Sequence, residues 1–196
     1  MIVVEATWLG SFEPFTTRPI RTYVADMMLQ RGQQALIKEY ELEAFVVNAL
    51  RPERTLCEKI MSLVRFSYSE QPLQDLRLKI RHTYDLHKLL SDPEIQVFFK
   101  SEAFEPLFLS TANSDTASYK NNHAWLANHP AEALIFADLE TVWPELRPIY
   151  LNEFTNLVFG VLPDEADVFA TLATIKNRLA KVQWKIDGEP RGQSGE

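Results

Sequence analysis

Between residues 51 and 90 the apolar positions repeat with helical spacing. Leu56, Ile60, Leu63 and Val64 stand at i, i+4, i+7 and i+8, one stripe of an amphipathic helix. Lys59 lies off that stripe, on a face with Thr55 and Ser62. The start of this helix reads two ways. Pro52 serves as its first residue, where a missing N–H costs nothing, or Thr55 caps it and Glu58 reaches back from three residues on. Pro72 breaks the pattern. Beyond it Leu76, Ile80, Thr83, Tyr84 and His87 share one helical face, and Arg81, Asp85 and Lys88 share another. Two helices with a short connection predict a hairpin, in which Lys59 and Asp85 are able to face each other.

The rest of the pattern is arranged around this pair. Residues 2–8 (IVVEATW) are a β-branched run that predicts a strand, and residues 10–19 read as a loop. Ile20, Tyr23, Val24 and Met27 predict a helix over 20–30, punctuated by Gly32, with a short helix over 33–40 and a second strand over 43–50. After residue 90, Asp92-Pro93 opens a helix as cap and first residue. Phe98, Phe99, Phe104 and Phe108 follow, and the polar stretch 113–122 interrupts the pattern. Pro130 and Pro144 bracket the next helix, 146–159 is another, closed by Gly160, and Asp164 caps a last one carrying Phe169, Leu172, Ile175 and Leu179. Residues 187–196 have the composition of a disordered tail. The expected fold class is therefore α+β and mostly helical, a small N-terminal sheet followed by a helical bundle. The expected divisions are 1–90, 91–186 and the tail. Trp125, Trp143, Phe154, Phe159 and Trp184 lie in apolar helical runs and are read as core rather than as stacking platforms for bases.

Charge adds one refinement. The 196-residue chain carries a net charge of −7, which argues against a broad nucleic-acid-binding surface. Yet residues 51–90 hold eight Lys/Arg against five Asp/Glu, so a local +3 sits in a chain whose remainder carries −10. Such a patch suits a small anionic ligand such as a nucleotide, or else it solvates two helices. The single cysteine, Cys57, excludes an intrachain disulfide and sits beside the apolar stripe, where a core role fits better than a nucleophilic one. No apolar run is long enough to span a membrane and no secretory leader is legible, so a cytoplasmic location is expected. His82 and His87 are five apart and do not share a metal. His123 and His129 lack further ligands nearby, and all four are read as satisfied or solvated.

The run Arg51-Pro-Glu-Arg-Thr55, the pair Glu58-Lys59 and the segment Arg81-His-Thr-Tyr-Asp85-Leu86 resemble the AbiEii/AbiGii toxin family of nucleotidyltransferase-like proteins. The resemblance extends from about Val3 to about Val182. It implies a polymerase-β-like transferase domain followed by a helical domain. It also implies an NTP substrate with Mg²⁺, a toxin–antitoxin or phage-defence setting, and an antitoxin as partner. Within the family pattern the lysine and the aspartate line the nucleotide site. The matching residues here are Lys59 and Asp85 as catalytic candidates, with Lys59 and Arg81 as nucleotide-binding candidates.

One family element has no counterpart. A Gly-Ser or Gly-Gly turn is expected about a dozen residues before an Asp-x-Asp/Glu pair whose carboxylates hold the metal. Gly10-Ser11 has no such pair after it: Glu13 is too close, and Asp26 is followed at its second position by Met28. Asp164-Glu165 with Asp167 reads as a helix start. No metal ligands are therefore assigned, and the chain is expected to begin partway through the transferase domain. Activity then requires a separately encoded half. The competing readings are an inactive helical remnant acting as a protein-interaction module, and a helical fold unrelated to the family.

Overall fold

The structure, a computed structural model, describes residues 14–118 and 124–186. They form two compact units, one within residues 14–51 and one within 52–186.

The first unit holds a two-stranded antiparallel sheet. Strand β1 (Phe15–Ile20) pairs with β2 (Phe45–Leu50), Phe15 opposite Leu50 and Ile20 opposite Phe45. Helices α1 (Tyr23–Gln30) and α2 (Gln34–Glu39) connect them. Thr22 caps α1 by accepting from the Ala25 N–H at 3.1 Å. The helix ends where Gly32 takes φ +69, a conformation costly for a side chain with a Cβ. The loop expected over 10–19 is in part a strand: Thr16, Thr17 and Ile20 are β-branched and pair along their length with β2. Ile20, assigned by periodicity to the helix, ends that strand instead. Only Ala25 and Ile37 of this unit are buried.

The second unit is helical. It runs α3 (Pro52–Phe66), α4 (Pro72–Leu78), α5 (Ile80–Leu90), α6 (Pro93–Lys100), α7 (Phe104–Ser118), α8 (Leu134–Ala137), α9 (Leu139–Pro148) and α10 (Glu165–Leu179), with short 3₁₀ turns between. Pro52 begins α3, so the first of the two starts stands. The expected hairpin of two helices is three helices. Residue 79 leaves helical geometry (φ −102°, ψ 14°) and divides the second into α4 and α5. Asp92 Oδ1 accepts from the N–H groups of Glu94 and Ile95, and Asp164 Oδ1 from that of Ala166, so both expected caps are present. Three boundaries differ from expectation. Helix α7 runs on through Asn113 to Ser118. Pro144 lies inside α9 rather than beyond a helix, and residues 149–157 are a wide turn followed by a 3₁₀ turn.

One core serves the helical unit. Leu56, Ile60 and Leu63 of α3 are fully buried with Leu86 of α5, Phe104 and Phe108 of α7, and Leu172, Ile175 and Leu179 of α10. Trp125, Trp143 and Phe154 belong to it and Trp184 packs against it, whereas Phe159 is fully exposed, against expectation. Its neighbour Gly160 takes φ +97, a conformation that favours glycine. No described helix is long and apolar enough to cross a membrane. The mostly helical α+β class with a small sheet near the N-terminus is the one expected. The expected strand over 2–8, the Gly10-Ser11 turn, His123 and the tail lie outside the described residues.

A candidate nucleotide-binding cluster on helices α3 and α5

Helices α3 and α5 pack through their apolar stripes, which turns the polar residues beside those stripes toward a common rim. Lys59, next to Ile60, and Asp85, next to Leu86, meet there: the Lys59 ammonium donates to Asp85 Oδ2 at 2.6 Å. Both side chains are mostly covered, with 19% and 25% of their surface exposed. An ion pair so placed has lost much of its hydration, and its strength rests on the hydrogen bond as much as on charge. Arg81, one turn before Asp85, holds its Nε 3.9 Å from the same oxygen and is 69% exposed, a loose surface contact. The sequence-derived pair is thus brought together tightly, and Arg81 loosely.

His82 is the residue the sequence undervalued. Its spacing predicts a satisfied or solvated side chain, but its Nδ1 is buried with no hydrogen-bond partner. Burial first, then the positive charges of Lys59 and Lys79, pull its pKa down to about 4, with Asp85 opposing. The imidazole is therefore neutral near pH 7. Lys79, at the α4–α5 junction, lies over the Phe66 ring, 4.8 Å from its centroid. Three cations, Lys59, Lys79 and Arg81, thus surround one carboxylate and one neutral histidine. The excess of positive charge is a property of this rim, and single-residue spacing along α5 gave no signal for the burial of His82.

A second polar group lies between α3 and α7. Arg54 is buried and donates from Nε to Glu58 Oε1 at 2.9 Å. Arg65 Nη1 stands 2.9 Å from Asp115 Oδ2. Burial pushes the Asp115 carboxyl up to about 6, against the pull of Arg65. Cys57 is fully buried on the same helix, and burial pushes its thiol up to about 12. So placed it is not a nucleophile near neutrality, in line with its reading as a core residue. The remaining described histidines have local duties. His87 Nδ1 meets Thr171 Oγ1 of α10 at 3.0 Å, and His129 Nε2 meets the Val182 carbonyl at 3.0 Å.

Metal chemistry finds no donor set in the described residues. No group of three or more His, Cys, Asp or Glu side chains is arranged to hold an ion there. Asp85 is the one carboxylate within the rim formed by α3 and α5, and its Oδ2 is engaged by Lys59. A divalent ion at a triphosphate needs two or three carboxylates, so the residues of this rim do not fit it by themselves.

No curated protein and no solved structure matches the chain. A family model described as "Nucleotidyl transferase AbiEii toxin, Type IV TA system" matches residues 1–177, nearly the whole chain. A match of that length shows that the chain belongs to the AbiEii family of toxin–antitoxin nucleotidyltransferases.

Proposed function

We propose that the rim formed by α3 and α5 is the phosphate-binding side of a nucleotidyltransferase site. In this reading the carboxylates that hold the metal come from a second polypeptide. The observation that carries it is the Lys59–Asp85 contact at 2.6 Å inside a group of three cations. An ammonium has three donors. One is spent on Asp85, which leaves two to meet phosphate oxygens while the carboxylate keeps the lysine in place. Arg81, exposed and tethered only loosely, adds a mobile charge at the edge of the same rim.

The reaction of the family moves a nucleotidyl group. An acceptor hydroxyl oxygen bonds to the α-phosphorus of an NTP, the bond to the bridging oxygen breaks, and pyrophosphate leaves with that electron pair. The hydroxyl proton passes to a carboxylate. Lys59 neutralises phosphate charge as the leaving group forms, and Asp85 is the carboxylate of this chain placed to take or orient the proton. The reading that another polypeptide supplies the metal-binding half is supported by the lack of an acidic pair at the family spacing after Gly10-Ser11 and of a donor set among the described residues. An antitoxin is the partner class that the toxin family implies.

Calorimetric titration of the isolated chain with inorganic tripolyphosphate tests the phosphate-side assignment without activity. Lys59→Ala removes a charge-assisted contact and weakens binding by roughly ten- to a hundredfold, whereas Lys181→Ala, beyond the C-terminal end of α10, leaves it unchanged. Equal binding by the wild type and Lys59→Ala would falsify the assignment. No binding at millimolar tripolyphosphate would instead favour the second reading, an inactive helical protein whose ion pair is structural.

A further inference from the structure

The sheet of the first unit has two outer edges, and they are not equivalent. The Arg51 N–H donates to the Pro14 carbonyl at 3.0 Å, which makes that pair a hydrogen-bonded one. Counting inward along the register, the pairs 16–49, 18–47 and 20–45 are also hydrogen-bonded, and 15–50, 17–48 and 19–46 are not. The backbone groups of the second set point away from the partner strand. Pro19 therefore places its missing N–H on the outer edge of β1, where it costs no ladder bond and leaves that edge one donor short. On β2 the outward residues are Val46, Asn48 and Leu50. Each keeps its N–H, and β2 pairs with β1 alone among the described residues.

The β2 edge lacks the devices that usually blunt an open edge. The strand reads FVVNAL, with no charge and no proline. Phe45, Val46 and Leu50 are exposed, Val46 by 68%. Residues 14–51 carry five Lys/Arg against four Asp/Glu, so the acidity of the chain lies elsewhere and does not oppose approach at this surface.

We infer that the outer edge of β2 pairs with β2 of a second copy of this chain, antiparallel and centred on Asn48. In that register Asn48 faces Asn48 of the other copy, and Val46 faces Leu50. All three outward residues exchange their backbone bonds, and no like charges meet. Asn suits the two-fold axis because its side-chain amide both donates and accepts. Each chain has one competent edge, because Pro19 spoils the other. The contact is thus isologous and closes at two copies rather than growing into a filament. The product is a continuous four-stranded antiparallel sheet. This pairing is independent of Lys59 and Asp85.

The test uses the whole chain. Sedimentation velocity across a concentration series shows a monomer–dimer equilibrium for the wild type, and Val46→Lys, which sets a charged side chain against Leu50 of the other copy on both sides of the axis, shifts it to monomer. Asn48→Cys places two thiols opposite each other at a separation a disulfide accepts. The native Cys57 is buried and does not compete. Under mild oxidation Asn48→Cys forms a covalent dimer roughly tenfold or more faster than Thr17→Cys on the outer edge of β1, because pairing raises the effective concentration of the thiols. A chain that stays monomeric at every concentration, with Asn48→Cys crosslinking no faster than Thr17→Cys, overturns the inference and leaves the edge to a different polypeptide.

Discussion

At the scale of single residues, two buried titratable groups pull in opposite directions. His82 has its pKa lowered to about 4 by burial and neighbouring cations, so the unfolded chain binds the proton first as pH falls below about 6.5. Its contribution to stability is present above that pH and is lost toward pH 4. The Asp115 carboxyl is raised to about 6 by burial, so the folded chain binds that proton first. Its contribution grows as pH falls through 6. At pH 5, relative to pH 7, His82 withdraws about 2 kcal/mol and Asp115 returns about 1 kcal/mol. Thermal melts at the two pH values separate them. His82→Gln loses less stability on acidification than the wild type, and Asp115→Asn loses more. Neither effect is legible in the sequence, where the spacing of His82 predicts a solvated or satisfied side chain and Asp115 lies in a polar stretch with no pattern of its own. Burial of an ionisable group depends on which helix arrives opposite it.

At the scale of elements, local chemistry placed the helix starts and tertiary contacts decided the interruptions. Pro52 opens α3 and Pro72 lies at the start of α4, while Asp92 and Asp164 cap the helices that follow, all from side chains within a few residues. The division at Lys79 and the passage of α9 through Pro144 carried no such signal. Pro144 is the sixth residue of α9, past the first turn, so it removes the bond an amide there would make to the Glu140 carbonyl, and the helix continues in spite of that loss. One contact across elements is a test case. Arg178 of α10 donates from Nε to the Phe99 carbonyl at 2.9 Å and from Nη2 to the Ser101 carbonyl at 3.1 Å, and its guanidinium lies over the Phe104 ring. It ties the end of α10 to the connection between α6 and α7. Arg178→Ala costs about 2–3 kcal/mol in urea denaturation, and Arg178→Lys recovers less than half of that, because an ammonium does not span both carbonyls while stacking on the ring.

At the scale of the whole molecule, the two units differ sharply in how much they bury. The helical unit has a continuous core through α3, α5, α7 and α10, whereas residues 14–51 bury only Ala25 and Ile37. Hydrogen exchange follows burial. The amides of α1 and α2 exchange fast, by low-energy opening, while those of the Leu56–Val64 segment exchange only on global unfolding. Equal protection of the two regions would contradict this ordering. The sequence by itself determined the helical class, the stripe of α3, the caps, and the identity of Lys59 and Asp85 as a pair on neighbouring helices. The first three depend on periodicity or on contacts within a few residues, which a linear pattern records, whereas the Lys59–Asp85 pair, 26 residues apart, stands out through the motif resemblance. Only the tertiary structure decided that the two side chains close to 2.6 Å and that His82 is buried beside them. It also decided that a strand stands where a loop was expected, with Pro19 on its outer edge. Those outcomes depend on residues distant in the chain, and a strand has no existence apart from the partner that pairs with it.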